Sequence, residues 1–146
     1  MSKRICVFCG SVDGARPAYR AAAAEFGRAA AERGWTIVYG GSKAGLMGAV
    51  ADAALACGGK VIGVMPRALF EKEIAHPGLS EQHIVESMHQ RKALMAELSD
   101  AVLTLPGGFG TFDEITELTT WAQLGYHRKA LVLLNIDNFF DPFLAL

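Results

Sequence analysis

The chain has 146 residues, enough for one domain that buries most of its apolar surface without disulfide or metal staples. Apolar residues make up 51% and charged residues only 20%, a balance that excludes disorder. Fourteen Lys and Arg against fifteen Asp and Glu leave a net charge of −1, so no overall basic field draws the chain to nucleic acid or to an anionic membrane, and any anionic ligand must be held locally.

In chain order, residues 5–8 form a short apolar run of β-formers, followed by an Ala-rich helical stretch over 17–33 that opens with Pro17. A second strand is predicted at 36–39, a helix at 45–56 and a third strand at 61–65. Residues 67–82, which include Pro77 and Gly78, read as an irregular flap over the sheet. A helix follows at 87–98, its start marked by the capping-box spacing of Ser87 and Gln90. Strands at 101–105 and 130–134 flank a last helix at 111–124. Continuous hydrophobicity marks strands buried on both faces, and the strict alternation implies right-handed crossovers. The expected fold is a doubly wound α/β sheet, one domain over residues 1–146 with no repeat or linker.

The longest apolar runs, about ten residues and broken by Gly, are too short for a spanning helix. The start Met-Ser-Lys-Arg lacks a signal peptide's cleavage pattern, so the sequence reads as soluble and cytoplasmic. Three Cys, an odd number, suit reduced thiols, and Cys6 and Cys9 fall on opposite faces of their strand. The four His, at 76, 83, 89 and 127, lack the spacing of a zinc site. No metal and no cofactor is expected.

In this architecture ligands bind beyond the carboxyl ends of the strands. The loops there are Cys9-Gly10-Ser11, then Gly40-Gly41-Ser42-Lys43-Ala44-Gly45-Leu46-Met47-Gly48, then Pro106-Gly107-Gly108-Phe109-Gly110-Thr111. Glycines let backbone N–H groups approach a phosphate, and a helix N-terminus adds about half a positive charge. Three such loops at one sheet edge point to a nucleotide or sugar phosphate. A Walker loop is absent, because Lys43 precedes Gly45. The dinucleotide fingerprint is absent too, and the third strand ends at Pro66-Arg67 where an acidic ribose ligand would stand. A mononucleotide fits better.

Two helices carry charge on an apolar face. Arg91 shares a stripe with Leu94, Met95 and Leu98, and Glu114 shares one with Leu118 and Trp121. Arg91 is either a snorkelling side chain at the core's rim or part of a site. Glu114 is either a catalyst or the return half of a Thr111-Phe112-Asp113-Glu114 capping box; spacing does not separate the two.

Met88-His89-Gln90-Arg91-Lys92 followed by Pro106-Gly107-Gly108-Phe109-Gly110-Thr111-Phe112-Asp113-Glu114 resembles the signature of the LOG (Lonely Guy) family. Cys6-Val7-Phe8-Cys9-Gly10-Ser11, Tyr39-Gly40-Gly41 and Trp121-Ala122-Gln123-Leu124-Gly125 resemble family segments in the family's order. The resemblance implies a Rossmann-like fold and a homodimeric phosphoribohydrolase. Such an enzyme cleaves cytokinin riboside 5′-monophosphates, and often AMP, to free base and ribose 5-phosphate. It implies Arg91 and Glu114 as the catalytic pair. Substrate contacts would be Glu73, Met88, Lys92, Gly107, Gly108, Phe109, Gly110, Thr111 and Thr119. Older labels call the family lysine decarboxylases, yet no recognisable pyridoxal site appears here. Two departures stand out: Gly41-Ser42-Lys43-Ala44 stands where the family usually has a third Gly followed by a small residue, and the sequence stops at Leu146 where relatives continue for a few dozen residues of helix. The rival from another class is a non-catalytic nucleotide carrier, such as the molybdenum-cofactor carriers of similar fold.

Overall fold

A computed structural model describes residues 2–72 and 74–146. Strands β1 (Arg4–Phe8), β2 (Thr36–Tyr39), β3 (Lys60–Pro66), β4 (Glu81–Val85), β5 (Ala101–Thr104) and β6 (Leu131–Leu133) make one sheet in the order β4-β3-β2-β1-β5-β6. Every pair is parallel. Helices α1 (Pro17–Glu32), α2 (Gly45–Ala56), α3 (Arg67–Phe70), α4 (Met88–Glu97), α5 (Phe109–Gln123) and α6 (Asp141–Leu144) connect or follow them. The expected doubly wound α/β fold is therefore the observed one.

Alternate residues of β1 feed two cores. Ile5, Val7 and Cys9 pack with α1 and α2, whereas Cys6 and Phe8 pack with Met95 of α4 and with Ile115 and Leu118 of α5. The two thiols thus lie on opposite faces, both free and buried. From β1 the chain steps outward through β2, β3 and β4, then returns to the other side of β1 for β5 and β6. The connections leaving β1 and β5 diverge from that reversal, and the gap between them is where this topology opens a crevice.

Three expectations need correction. The flap expected over 67–82 is bounded by elements: α3 at its start and β4 at its end. Strand β4 lies at the sheet edge, half-exposed, so it tolerates Glu81, Gln82 and His83 and shows no apolar run. The last helix begins at Phe109 rather than Thr111, with Gly108 as its N-cap, so Thr111 lies inside the first turn and the Thr111–Glu114 capping box does not form. Thr111 instead lays its side chain over Gly107, where a Cβ would overlap it. At α4 the Ser87 hydroxyl accepts the Gln90 N–H at 3.1 Å, as expected, but the Gln90 amide oxygen accepts from Glu86 N–H at 2.7 Å, one residue earlier than a capping box would have it.

The final turns fold Phe139, Phe140 and Phe143 back onto Phe112 of α5, with ring centroids 6.1, 5.9 and 5.3 Å away, and Phe139 also meets Tyr19 of α1. This cluster braces the first turn of α5 from behind.

The glycine-rich run after β2 serves packing. Gly45 has φ +59°, and a Cβ there would overlap the backbone of Ser11 and Val12, while Met47 N–H donates to Gly10 O at 3.2 Å. Gly58 has φ +74°, but a Cβ there would meet nothing within 4 Å. Gly45→Ala should therefore cost about 2–4 kcal/mol in urea unfolding and Gly58→Ala only about 1 kcal/mol; equal costs would show that the overlap is relieved at no expense.

Candidate active site

A cleft of about 370 Å³ opens at the carboxyl edge of the sheet, over the β1–β5 gap. Gly10 and Ser11 enter it from the β1 connection, Gly40 and Ser42 from the β2 connection, and Met65 from the end of β3. Leu69 and Ile74 supply a further apolar wall, and Met88 with Arg91 come from α4. The start of α5 contributes Gly108, Phe109, Gly110, Thr111 and Glu114.

That helix start is open. Gly108 offers no side-chain cap, and the first helical bond runs from Phe112 N–H to Gly108 O at 3.1 Å. Among the described residues the N–H groups of Phe109, Gly110 and Thr111 have no acceptor, so three donors and the positive end of a 15-residue helix face the cleft. A Cβ at Gly108 or Gly110 would meet nothing within 4 Å, which leaves room for a ligand against the backbone. Gly107 is different. It packs beneath Thr111 and against Gly10, and lines a second cavity of about 210 Å³ with Tyr19, Leu46 and Phe139 rather than the cleft.

Glu114 stands one helical turn further on, 9% exposed, and no described residue donates a hydrogen bond to its carboxylate. Burial pushes its pKa up to about 7; Asp113 adds to the rise, while Arg91 and then Lys92 oppose it. Burial, and then Glu114 itself, hold the Cys9 thiol at the cleft wall well above its usual range, so it stays protonated.

Arg91 is buried, not snorkelling. Its Nε donates to Val64 O at 2.9 Å and its Nη2 to Gly40 O at 2.5 Å, joining the carboxyl ends of β3 and β2. Burial lowers its pKa, partly countered by Glu114 and Tyr39. It forms no ion pair with Glu114 within 4.0 Å; the two interact across the cleft by their fields.

The other sequence candidates divide. Met88, 43% exposed, and Phe109, 96% exposed, stand at the cleft's rim. Lys92 lies outside the cleft lining: its Nζ bridges Glu117 at 2.9 Å and Asp113 at 3.0 Å, tying α4 to α5. Burial works against that charge, but the two carboxylates outweigh it and raise the lysine pKa. Thr119 also lies away from the cleft, its hydroxyl donating to Ile115 O at 2.7 Å. Glu73 lies outside the described residues. The serine departure at 42 is absorbed locally, since its Oγ accepts Ala44 N–H at 3.0 Å and Tyr39 Oη donates to its carbonyl at 2.8 Å. Leu69, Ile74 and Met65 were missed by sequence reasoning because isolated apolar residues in connections carry no spacing signal.

A family model described as possible lysine decarboxylase matches residues 47–146. The cytokinin riboside 5′-monophosphate phosphoribohydrolase LOG of Oryza sativa subsp. japonica is 49% identical over 143 residues, 98% of this chain and 59% of that protein. A cytokinin riboside 5′-monophosphate phosphoribohydrolase of Rhodococcoides fascians is 49% identical over 144 residues, 98% of this chain and 73% of that protein. The chain thus spans about three fifths of the length of the rice relative. Among solved structures, the molybdenum cofactor binding protein of Rippkaea orientalis superposes with a TM-score of 0.79 over 99% of this chain and 83% of that one, at 23% identity, a likeness of fold alone. The open α5 start, the buried Glu114 beside it and the extent of these matches together place the chain in the LOG family, whose model carries the older lysine decarboxylase description.

Proposed function

We propose that the chain hydrolyses the N-glycosidic bond of nucleoside 5′-monophosphates, of the cytokinin riboside type and AMP. The single observation that carries this is the buried, unbonded carboxylate of Glu114 one turn beyond three acceptor-less N–H groups. The 5′-phosphate sits on the amides of Phe109, Gly110 and Thr111, with the helix dipole behind it. One helical turn, about 5.4 Å, then brings the ribose's anomeric carbon opposite Glu114. The purine lies against Met65, Leu69, Ile74 and Met88, an apolar wall suited to a prenylated adenine.

Water adds to C1′ as the bond to the base nitrogen breaks. The bond's electron pair leaves with the base, which takes up a proton, and ribose 5-phosphate remains. The transition state is oxocarbenium-like, so the carboxylate stabilises the positive charge and orients the water. Arg91 holds the β2 and β3 ends that wall the site, and its field opposes, without cancelling, the rise that burial imposes on the Glu114 pKa. Lys92 acts through α5, fixing the helix that carries Glu114.

Lysine decarboxylation would need pyridoxal phosphate joined to a lysine amine. Among the described residues no lysine lines the cleft, and Lys92 is bound to two carboxylates, so the residues present do not fit that cofactor. The carrier reading has only the shared fold behind it.

The mouth of the cleft is rimmed by exposed apolar side chains, Val12, Met88 and Phe109, which supports a homodimer in which a second copy covers them. Among the described residues no helix is long and apolar enough to cross a membrane; the free thiols suit the reducing conditions of the cytoplasm.

Incubation with AMP and with isopentenyladenosine monophosphate should release free base, detected by chromatography; intact nucleotide after prolonged incubation would remove the hydrolase reading. Glu114→Gln should lower kcat by about 10² to 10⁴. In the wild type kcat/KM should fall below pH about 7, as Glu114 takes up its proton. The same variant should be more stable, not less. Glu114 binds its proton more tightly folded than unfolded, so the folded state loses stability as pH rises from 4.5 through about 7. Gln carries no such cost, and thermal unfolding at pH 8 should show a gain of about 1–3 kcal/mol. Light scattering should give twice the chain's mass in solution.

A further inference from the structure

The connection between β3 and β4 carries one wall of the cleft, yet it has almost no core of its own. Helix α3 spans four residues and buries none of them. Its Leu69 and the following Ile74 nevertheless line the cleft, so something else must hold them in place. Part of the answer is backbone pairing with the glycine-rich connection after β2: Lys43 N–H donates to Ile74 O at 3.0 Å, His76 N–H donates to Gly41 O at 2.8 Å, and Ser42 and Ala75 form an antiparallel bridge. Gly40 and Ser42, on the other side of that bridge, also line the cleft. The bridge therefore sets the spacing between two walls.

A side chain locks it. The imidazole of His76, 10% exposed, has Nδ1 3.0 Å from Gly78 N–H and Nε2 2.6 Å from Asp52 Oδ1 on α2. Because Gly78 donates to Nδ1, that nitrogen is the acceptor and the ring proton belongs on Nε2, where it is donated to Asp52. One ring thus fastens the bridge's last residue both to the Pro77-Gly78 turn and to α2, whose Met47 is itself in the cleft lining.

We propose that His76, held by Asp52, is a positioning residue of the site: it fixes the Leu69 and Ile74 wall at the distance that grips the nucleobase. The inference rests on the phosphoribohydrolase reading for its substrate. Their side-chain hydrogen bonds run to each other and to Gly78, none to α5, so loss of the latch weakens nucleotide binding while leaving the chemistry at Glu114 intact. Asp52 is largely exposed, which makes it the safer residue to change.

Asp52→Ala should raise KM for AMP about fivefold with kcat within about twofold of wild type, the mark of lost binding rather than lost chemistry. His76→Gln keeps a donor near the place of Nε2 and should stay close to wild type. His76→Asn keeps only the acceptor for Gly78 and should behave like Asp52→Ala. Hydrogen exchange of the Lys43 and His76 amides should be about tenfold faster in Asp52→Ala. An unchanged KM in Asp52→Ala, a fall in kcat at constant KM, or unchanged exchange at those two amides would overturn the proposal. Should the wild type release no base from AMP, the hydrolase reading fails by itself, and the exchange comparison still decides whether the latch exists.

Discussion

The start of α5 sets the terms for everything around it. A helix that begins without a side-chain cap leaves backbone donors unsatisfied, and here three of them open into a cleft instead of bulk solvent. The surroundings serve that opening. Gly108 and Gly110 keep the approach clear, the aromatic residues near the C-terminus brace Phe112 from behind, and Lys92 anchors the exposed flank through Asp113 and Glu117. Sheet topology does the rest, since the reversal of strand order beside β1 puts this helix at a gap where a ligand can reach it.

The site combines a region built to attract negative charge with a carboxyl group that burial keeps from ionising easily. Those demands are compatible only because they are separated by one helical turn. At the amides the field favours an anion, whereas at Glu114 the apolar surroundings disfavour one and leave the group titrating near neutrality. A carboxylate in that state gains most when positive charge develops beside it.

The strands buried on both faces were legible because burial on both sides forces continuous apolar runs; β4 was not, because an edge strand has no such requirement and its Glu81-Gln82-His83 start reads as a connection. The inward placement of Arg91 and Glu114 could be read from helical spacing, but their partners could not. Arg91 is satisfied by main-chain carbonyls 27 and 51 residues away, which no local pattern encodes. Nor does composition reveal which glycines border open space and which pack on other backbone: Gly45 and Gly107 are packing residues, Gly108 and Gly110 are open, and only their neighbours in space tell them apart. Whether Glu114 closes a capping box depends on where α5 begins, a matter of two residues that spacing does not fix.

Of the two carbonyls that Arg91 engages, one lies in β3 and the other just past the end of the neighbouring β2, and a single planar group reaches both at once through different nitrogens. A lysine ammonium at the same place is a compact charge with no fork, so it cannot reproduce that span. The residue therefore acts as a clip between the β2 and β3 ends as well as a source of field, and a swap that conserves charge would leave a carbonyl stranded away from water, splaying the floor of the cleft.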